Sequence, residues 1–217
     1  VGHDNYHHTF FEMLGNWSFG DYFKQQAILW AWELITEVWS LPKEKLWVTV
    51  FEGGDGVGPD EEAESIWRSE TDIQKDQVLR YDKSDNFWEM GEVGPCGPCS
   101  ELHIDLGEGT CPLSKEHKCS VNVEGCWRFV ELWNLVFMQY QRFPDKHLEA
   151  LPAQHVDTGM GLERICRVMQ EVDSNYSTDL FVPILGRISE VTGTSDQFGE
   201  VGVAYRVIAD HLRSLSF

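Results

Sequence analysis

The chain has 217 residues, 42% of them hydrophobic and 12% aromatic. That is enough to bury the core of one large domain, or of one domain and the start of another, and 9 tryptophans exclude a disordered chain. With 36 acidic against 17 basic side chains the formal charge is −19, which argues against a general nucleic-acid coat protein because an evenly acidic surface repels phosphate backbones.

No signal peptide, transit peptide or membrane span is visible. The most apolar run, "AILWAWELITEVW" (27–39), is short and is interrupted by Glu33 and Glu37. Six cysteines in a chain of this length do not make a disulfide framework, so a reduced, cytoplasmic protein is expected.

In chain order, residues 7–13 alternate and predict a strand, with His7, Thr9, Phe11 and Met13 on one face and His8, Phe10 and Glu12 on the other. "GNWSFGD" turns the chain, and Asp21 is the expected N-cap of a helix over about 22–39 that ends before Pro42. "KLWVTVFE" (45–52) reads as a strand by its β-branched and aromatic content. An acidic, glycine-rich loop follows, then a helix near 61–69. "NFWEMGEVGPCGPCSELHID" (86–105) reads as two strand-like pieces around a Gly-Pro-rich turn, and 107–125 as an inserted surface loop.

"RFVELWNLVFMQYQRF" (128–143) is the clearest strand; neither of its faces is purely polar, so a central position covered on both sides is expected. "QHVDTGMGLERICRVMQEV" (154–172) reads as a short strand, a glycine turn and a helix buried through Ile165, Val168, Met169 and Val172. Helices near 178–192 and 203–216 complete the chain. The pieces do not alternate as β-α-β-α, so the expected class is α+β, an antiparallel sheet flanked by helices.

The chemistry-bearing residues are few. "GMGLER" (159–164) matches neither G-x-x-x-x-G-K-[ST] nor G-x-G-x-x-G, and by spacing alone a tight strand-to-helix turn is the favoured reading. Its setting sharpens it: Asp157 ends a strand, the glycines admit a ligand to the backbone, and Arg164 can face a phosphate or lie on an aromatic ring. Asn134 on a central strand needs partners, from the protein or from a polar ligand. Cys96 and Cys99 form one C-x-x-C pair. Cys111, His117, Cys119 and Cys126 are further zinc ligands by type, but the spacing matches no zinc pattern, so free thiols and no metal are expected. There is no H-E-x-x-H and no G-x-S-x-G.

"HHTFFEMLGNWSFGDYFK", "GPCGPCSE", "ELWNLVFMQY", "VDTGMGLER" and "YRVIADHLR", in that order, closely resemble the catalytic core of the alanyl-tRNA synthetases, a class II aminoacyl-tRNA synthetase family. The likeness runs over residues 1–217 outside the loops near 53–64 and 107–125. It implies a class II core over 1–175, partial and lacking its N-terminal part, and the start of a helical tRNA-recognition region over 176–217. It implies an alanine–tRNA ligase, which joins alanine to ATP and passes it to the 3′ end of tRNA(Ala). ATP and Mg²⁺ as MgATP are the implied cofactors, with zinc not expected in this segment. The implied partners are alanine, ATP and tRNA(Ala), the last through regions mostly outside the chain, and no membrane.

The resemblance also assigns roles. His7 and Arg164 are the implied catalytic groups, His7 at the triphosphate and Arg164 over the other side of the adenine or at the γ-phosphate; His7, Phe11, Gly161 and Arg164 bind ATP, with Phe11 stacking on adenine. Trp88, Asn134, Val136, Asp157 and Gly159 hold alanine, with Asp157 anchoring its ammonium. Phe10 and Phe19 are expected in the core. Such a pocket rejects large side chains but separates alanine from glycine or serine by only about 1–3 kcal/mol, which is why the family carries a separate editing domain. The first class II motif and the α-phosphate arginine strand are expected before Val1. A synthetase-like module that binds ATP, amino acid or a partner without chemistry is the alternative, and a structural zinc domain a third reading.

Overall fold

The computed structural model describes residues 1–111, 114–115, 118–194 and 199–217. It divides into two compact units, one of residues 15–160 and one of residues 1–14 with 161–217.

The first unit is a mostly antiparallel sheet. Its strands are β2 (Trp17–Phe19), β3 (Leu46–Phe51), β4 (Val78–Tyr81), β5 (Phe87–Glu89), β6 (Gly94–Asp105), β7 (Phe129–Arg142) and β8 (Leu148–Gly161). The order is β8-β7-β6-β3-β4, with β2 paired to β8 and β5 to β6; the β3–β4 pair is parallel. The central place expected for 128–143 is found, since β7 lies between β6 and β8.

Helices α1 (Lys24–Glu33), α2 (Glu61–Glu70) and the short α3 (Lys83–Asn86) belong to this unit. Asp60 caps α2, its carboxylate accepting from Ala63 N–H at 3.1 Å. The N-cap of α1 is Phe23 rather than Asp21, and a π-helical turn, Leu34–Val38, extends the helix. Helix α1 buries Ala27, Ile28, Ala31 and Trp32, and Trp32 meets Trp67 of α2 edge-on at 6.1 Å. Trp67 donates to Ser100 of β6, and Phe23 packs edge-on to Phe137 of β7. The helices therefore cover the sheet face that carries Ser100, Leu135 and Phe137.

Two expectations fail here for identifiable reasons. "GPCGPC" is not a turn but part of the continuous strand β6, irregular between Cys96 and Cys99. Gly97 makes this possible, because a Cβ there would run into the Phe137 carbonyl oxygen. Likewise the glycines of "DTGMG" form no turn: β8 stays extended through Gly161, and the next residue begins α4 (Leu162–Met169).

The second unit contains β1 (Met13–Leu14), α4, α5 (Val182–Thr192) and α6 (Gly199–Ser216). Its core is Tyr176, Phe181, Leu185, Ile188, Tyr205 and Ala209. The strand expected over 7–13 shrinks to β1 alone. Side-chain acceptors take the backbone donors a strand would use: His7 N–H goes to Asp4 at 2.8 Å and Thr9 N–H to Asp210 at 3.0 Å. Helix α4 keeps part of the expected stripe, with Ile165 buried and Val168 and Val172 half-buried, but charged residues are buried as well. It buries Ile165 with the charged Glu163 and Arg167, while Met169 is exposed. Phe10 is half-buried and stacks on Phe217 at 4.8 Å. Phe19 is not a core residue; it is 82% exposed, tilted beside His155.

Candidate active site

Four of the residues singled out from the sequence meet in the sheet. In the β7–β8 register Val136 stands opposite Asp157 and Asn134 opposite Gly159. Opposed residues in an antiparallel pair point the same way, and i, i+2 positions share a face. The four therefore form one patch, on the face opposite the one covered by α1 and α2.

Strand β6 extends the patch, with Cys99 opposite Val136 and Glu101 opposite Asn134; on the other side β2 sets Trp17 opposite Asp157. Val136 is buried, while Asn134, Asp157 and Gly159 are half-buried. Burial pushes the Cys99 thiol well above its usual range despite a hydrogen bond from Asn134. The Asn134 Oδ1 atom is buried with no hydrogen-bond partner among the described residues, an arrangement that costs roughly 1–3 kcal/mol unless a ligand donor satisfies it.

Trp88, half-buried on β5, stands opposite Gly97, which places it two strands from β7. Glu101 was not singled out by sequence reasoning. Its carboxylate accepts from Thr49 Oγ1 at 3.0 Å and Asn122 at 3.1 Å and pairs with His103 at 3.1 Å. Burial raises its pKa, but His103, Asn122 and Thr49 outweigh this and hold the carboxyl below its ordinary value.

The other named residues lie in the second unit. His7 is exposed, and its Nδ1 sits 2.7 Å from Asp4 Oδ2. Tyr6 links two of them: its ring lies 4.3 Å from that of His7, and the Arg164 guanidinium is 5.8 Å from the same ring. Neighbouring hydrogen bonds fix the segment that carries Phe11 against the start of α4. Leu162 N–H donates to Glu12 O at 2.9 Å, and Glu12 N–H donates to the Glu163 carboxylate at 3.1 Å. Phe11 itself is 53% exposed, with no ring partner among the described residues. Gly161 ends β8 and is the N-cap of α4, with the aliphatic part of Arg164 next to it.

Beneath this segment is a charged network that sequence spacing could not reveal. Arg213 contacts Glu163 at 2.7 Å and Glu12 at 2.9 Å, and Asp210 receives Thr9 and lies 3.3 Å from His8. His8 stacks on Phe181 at 5.0 Å. Burial, set against the pull of Glu163 and Asp210, leaves the His8 pKa below its ordinary value.

Among the cysteines the structure separates the C-x-x-C pair from the other three of the 96–126 region. Cys96 and Cys99 join no ligand cluster among the described residues, whereas Cys111, Cys119 and Cys126 come together with their sulfurs all within 4.8 Å of one another. His117, grouped with them by residue type, lies outside the described residues. No helix among the described residues is long and apolar enough to cross a membrane.

The chain is 56% identical over 220 residues to the alanine–tRNA ligase of Chlorobium phaeobacteroides and 52% over 221 residues to that of Christiangramia forsetii. It is 51% identical over 228 residues to the cytoplasmic alanine–tRNA ligase of Dictyostelium discoideum. Each match covers 100% of this chain but only 23%, 25% and 23% of the relative, so the chain spans about a quarter of their length. The profile of the family described as tRNA synthetases class II (A) matches residues 1–217, with the mostly antiparallel sheet and helices found above, and the chain belongs to that family.

Proposed function

We propose that this chain is the alanine-activating part of an alanine–tRNA ligase, which condenses alanine with ATP to alanyl-adenylate and pyrophosphate and then passes alanine to the 3′ end of tRNA(Ala). The observation that carries the reading is the β7–β8 patch. A carboxylate (Asp157), an amide with an unmet buried oxygen (Asn134), a small apolar wall (Val136) and a glycine (Gly159) suit a ligand with an ammonium group and a methyl side chain.

In this reading the Asp157 carboxylate takes the alanine ammonium and Asn134 Oδ1 accepts one of its N–H donors. Val136 and Trp88 limit side-chain size, and Gly159 admits the backbone of the amino acid. Phe11 offers an exposed ring for adenine. Arg164 and His7, both against Tyr6, are cationic or hydrogen-bonding groups for the triphosphate, with Gly161 leaving room beside Arg164. The alanine carboxylate attacks the α-phosphorus and pyrophosphate leaves. The protein's contribution is positioning and charge stabilisation, with no covalent enzyme intermediate.

Mg²⁺ enters as the partner of the ATP phosphates, whose charge it neutralises. The carboxylates tied to the nucleotide segment, Asp4, Glu12 and Glu163, are already engaged by His7 and Arg213. Residues 176–217 are proposed as the beginning of the tRNA-recognition region, and the location as cytoplasmic.

Alanine-dependent ATP–pyrophosphate exchange tests the proposal, with serine and glycine as controls. Exchange that needs alanine and is lost in Asp157→Asn supports it. A folded sample that binds ATP and alanine without exchange would support the binding-only alternative instead.

A further inference from the structure

We infer that Cys111, Cys119 and Cys126 form a zinc site in the loop between β6 and β7, separate from the residues proposed to bind alanine and ATP. The three sulfurs lie within 4.8 Å of one another, although 8 and 7 sequence positions separate successive members. At about 2.3 Å per Zn–S bond, tetrahedral coordination sets sulfurs about 3.8 Å apart, inside that limit. Cys111 and Cys126 are buried, and Cys119 is half-exposed, giving a metal a route in.

The frame around the sulfurs is built. Arg128 closes the base of the loop with two bonds of 2.6 Å to Asp105, and Leu106 N–H donates to Arg128 O at 2.9 Å. Val121 is buried and its carbonyl accepts from Tyr81 Oη at 2.7 Å. Asn122 reaches the Glu101 carboxylate, and a turn sets Cys126 N–H 3.0 Å from Val123 O. Connections this long in a compact unit are usually functional. Here the only converging side chains of metal-ligand type among the described residues are the three thiols.

Thiol chemistry favours a metal over the alternatives. Three thiols can form one disulfide at most, which would leave the third without a role. A bound Zn²⁺ would take the three as thiolates, each thiol giving its proton to solvent and the charge being neutralised at the metal. Soft sulfur ligands select zinc over magnesium or calcium. Three thiolates fill three corners of the tetrahedron, and the fourth is left to solvent.

The test is the metal content of the tag-free 217-residue chain, reduced, incubated with Zn²⁺ and desalted. One equivalent of zinc is expected by mass spectrometry of the metal. Cys119→Ser, a half-exposed position that tolerates the change, loses the zinc while keeping its far-ultraviolet dichroism; Cys166→Ser keeps it. Cobalt substitution should give a thiolate-to-metal charge-transfer band that weakens in Cys119→Ser. Failure of the folded, reduced chain to retain zinc overturns the site, as does zinc retained undiminished in Cys119→Ser. Copper or iron in place of zinc overturns the choice of metal. None of these readouts depends on aminoacylation, so the result is independent of the proposed activity.

Discussion

The Arg213 guanidinium lies 2.7 Å from the Glu163 carboxylate, with side-chain exposures of only 8% and 2%. The same guanidinium reaches Glu12 and lies 4.9 Å from the centre of the Phe181 ring. Removing one member of a buried pair leaves the other charge uncompensated, at a cost of roughly 3–5 kcal/mol. Arg213→Met should therefore lower the unfolding free energy by about that amount, and Arg213→Met with Glu163→Leu by clearly less. Urea unfolding of Arg213→Met, Glu163→Leu and the double variant measures this; losses that simply add would mean that the pair is not coupled.

His8 gives stability a specific pH dependence. Its ring is held neutral chiefly by burial, against Glu163 and Asp210, so its folded pKa lies below 6.5. The unfolded chain then binds the proton more readily, and stability falls as pH drops through 6.5 toward the folded value. Melting temperature measured from pH 7.5 down to pH 5.5 should decline more steeply in the parent than in His8→Gln. Parallel profiles would remove His8 from the account.

Replacing Asp157 with Asn removes the proposed ammonium partner while keeping the strand pair with Val136. Loss of a desolvated charge partner costs 2–5 kcal/mol, so kcat/KM for alanine in pyrophosphate exchange should fall by about 10²-fold or more, with KM for ATP little changed. Asn134→Ala should also act on alanine rather than on ATP.

Phe11→Ala should do the opposite. Stacking of a base on an aromatic ring is worth about 1–3 kcal/mol, so KM for ATP should rise roughly tenfold with KM for alanine unaffected. Phe11→Trp keeps the flat surface and should restore most of the affinity. Since Phe11 is 53% exposed, neither change should move the melting temperature much, and a large shift would assign the ring a packing role instead.

Gly97→Ala should destabilise the sheet, because its Cβ would meet the Phe137 carbonyl oxygen, which is backbone and cannot swing aside. Forced overpacking typically costs about 1–3 kcal/mol. Thermal unfolding reads the effect, and an unchanged melting temperature would show that β6 can shift away from β7.

Periodicity along single segments was enough for much of the architecture. The alternation of 128–143 identified β7, the β-branched run of 45–52 identified β3, and the helix expected near 61–69 is α2. Ordered motifs pointed to the family, and the alternation that puts Asn134 and Val136 on one face is a property of sequence spacing alone. Spacing could not show what takes the Thr9 N–H, because its acceptor, Asp210, sits at the far end of the chain. Nor could it show that "GPCGPC" and "DTGMG" stay extended, since a glycine that permits close strand approach looks in sequence like one that permits a turn. The register that sets Asp157 beside Val136, the Arg213–Glu163 pair and the meeting of Cys111, Cys119 and Cys126 all join residues far apart in the chain. They exist only once the sheet has paired and the helices have packed.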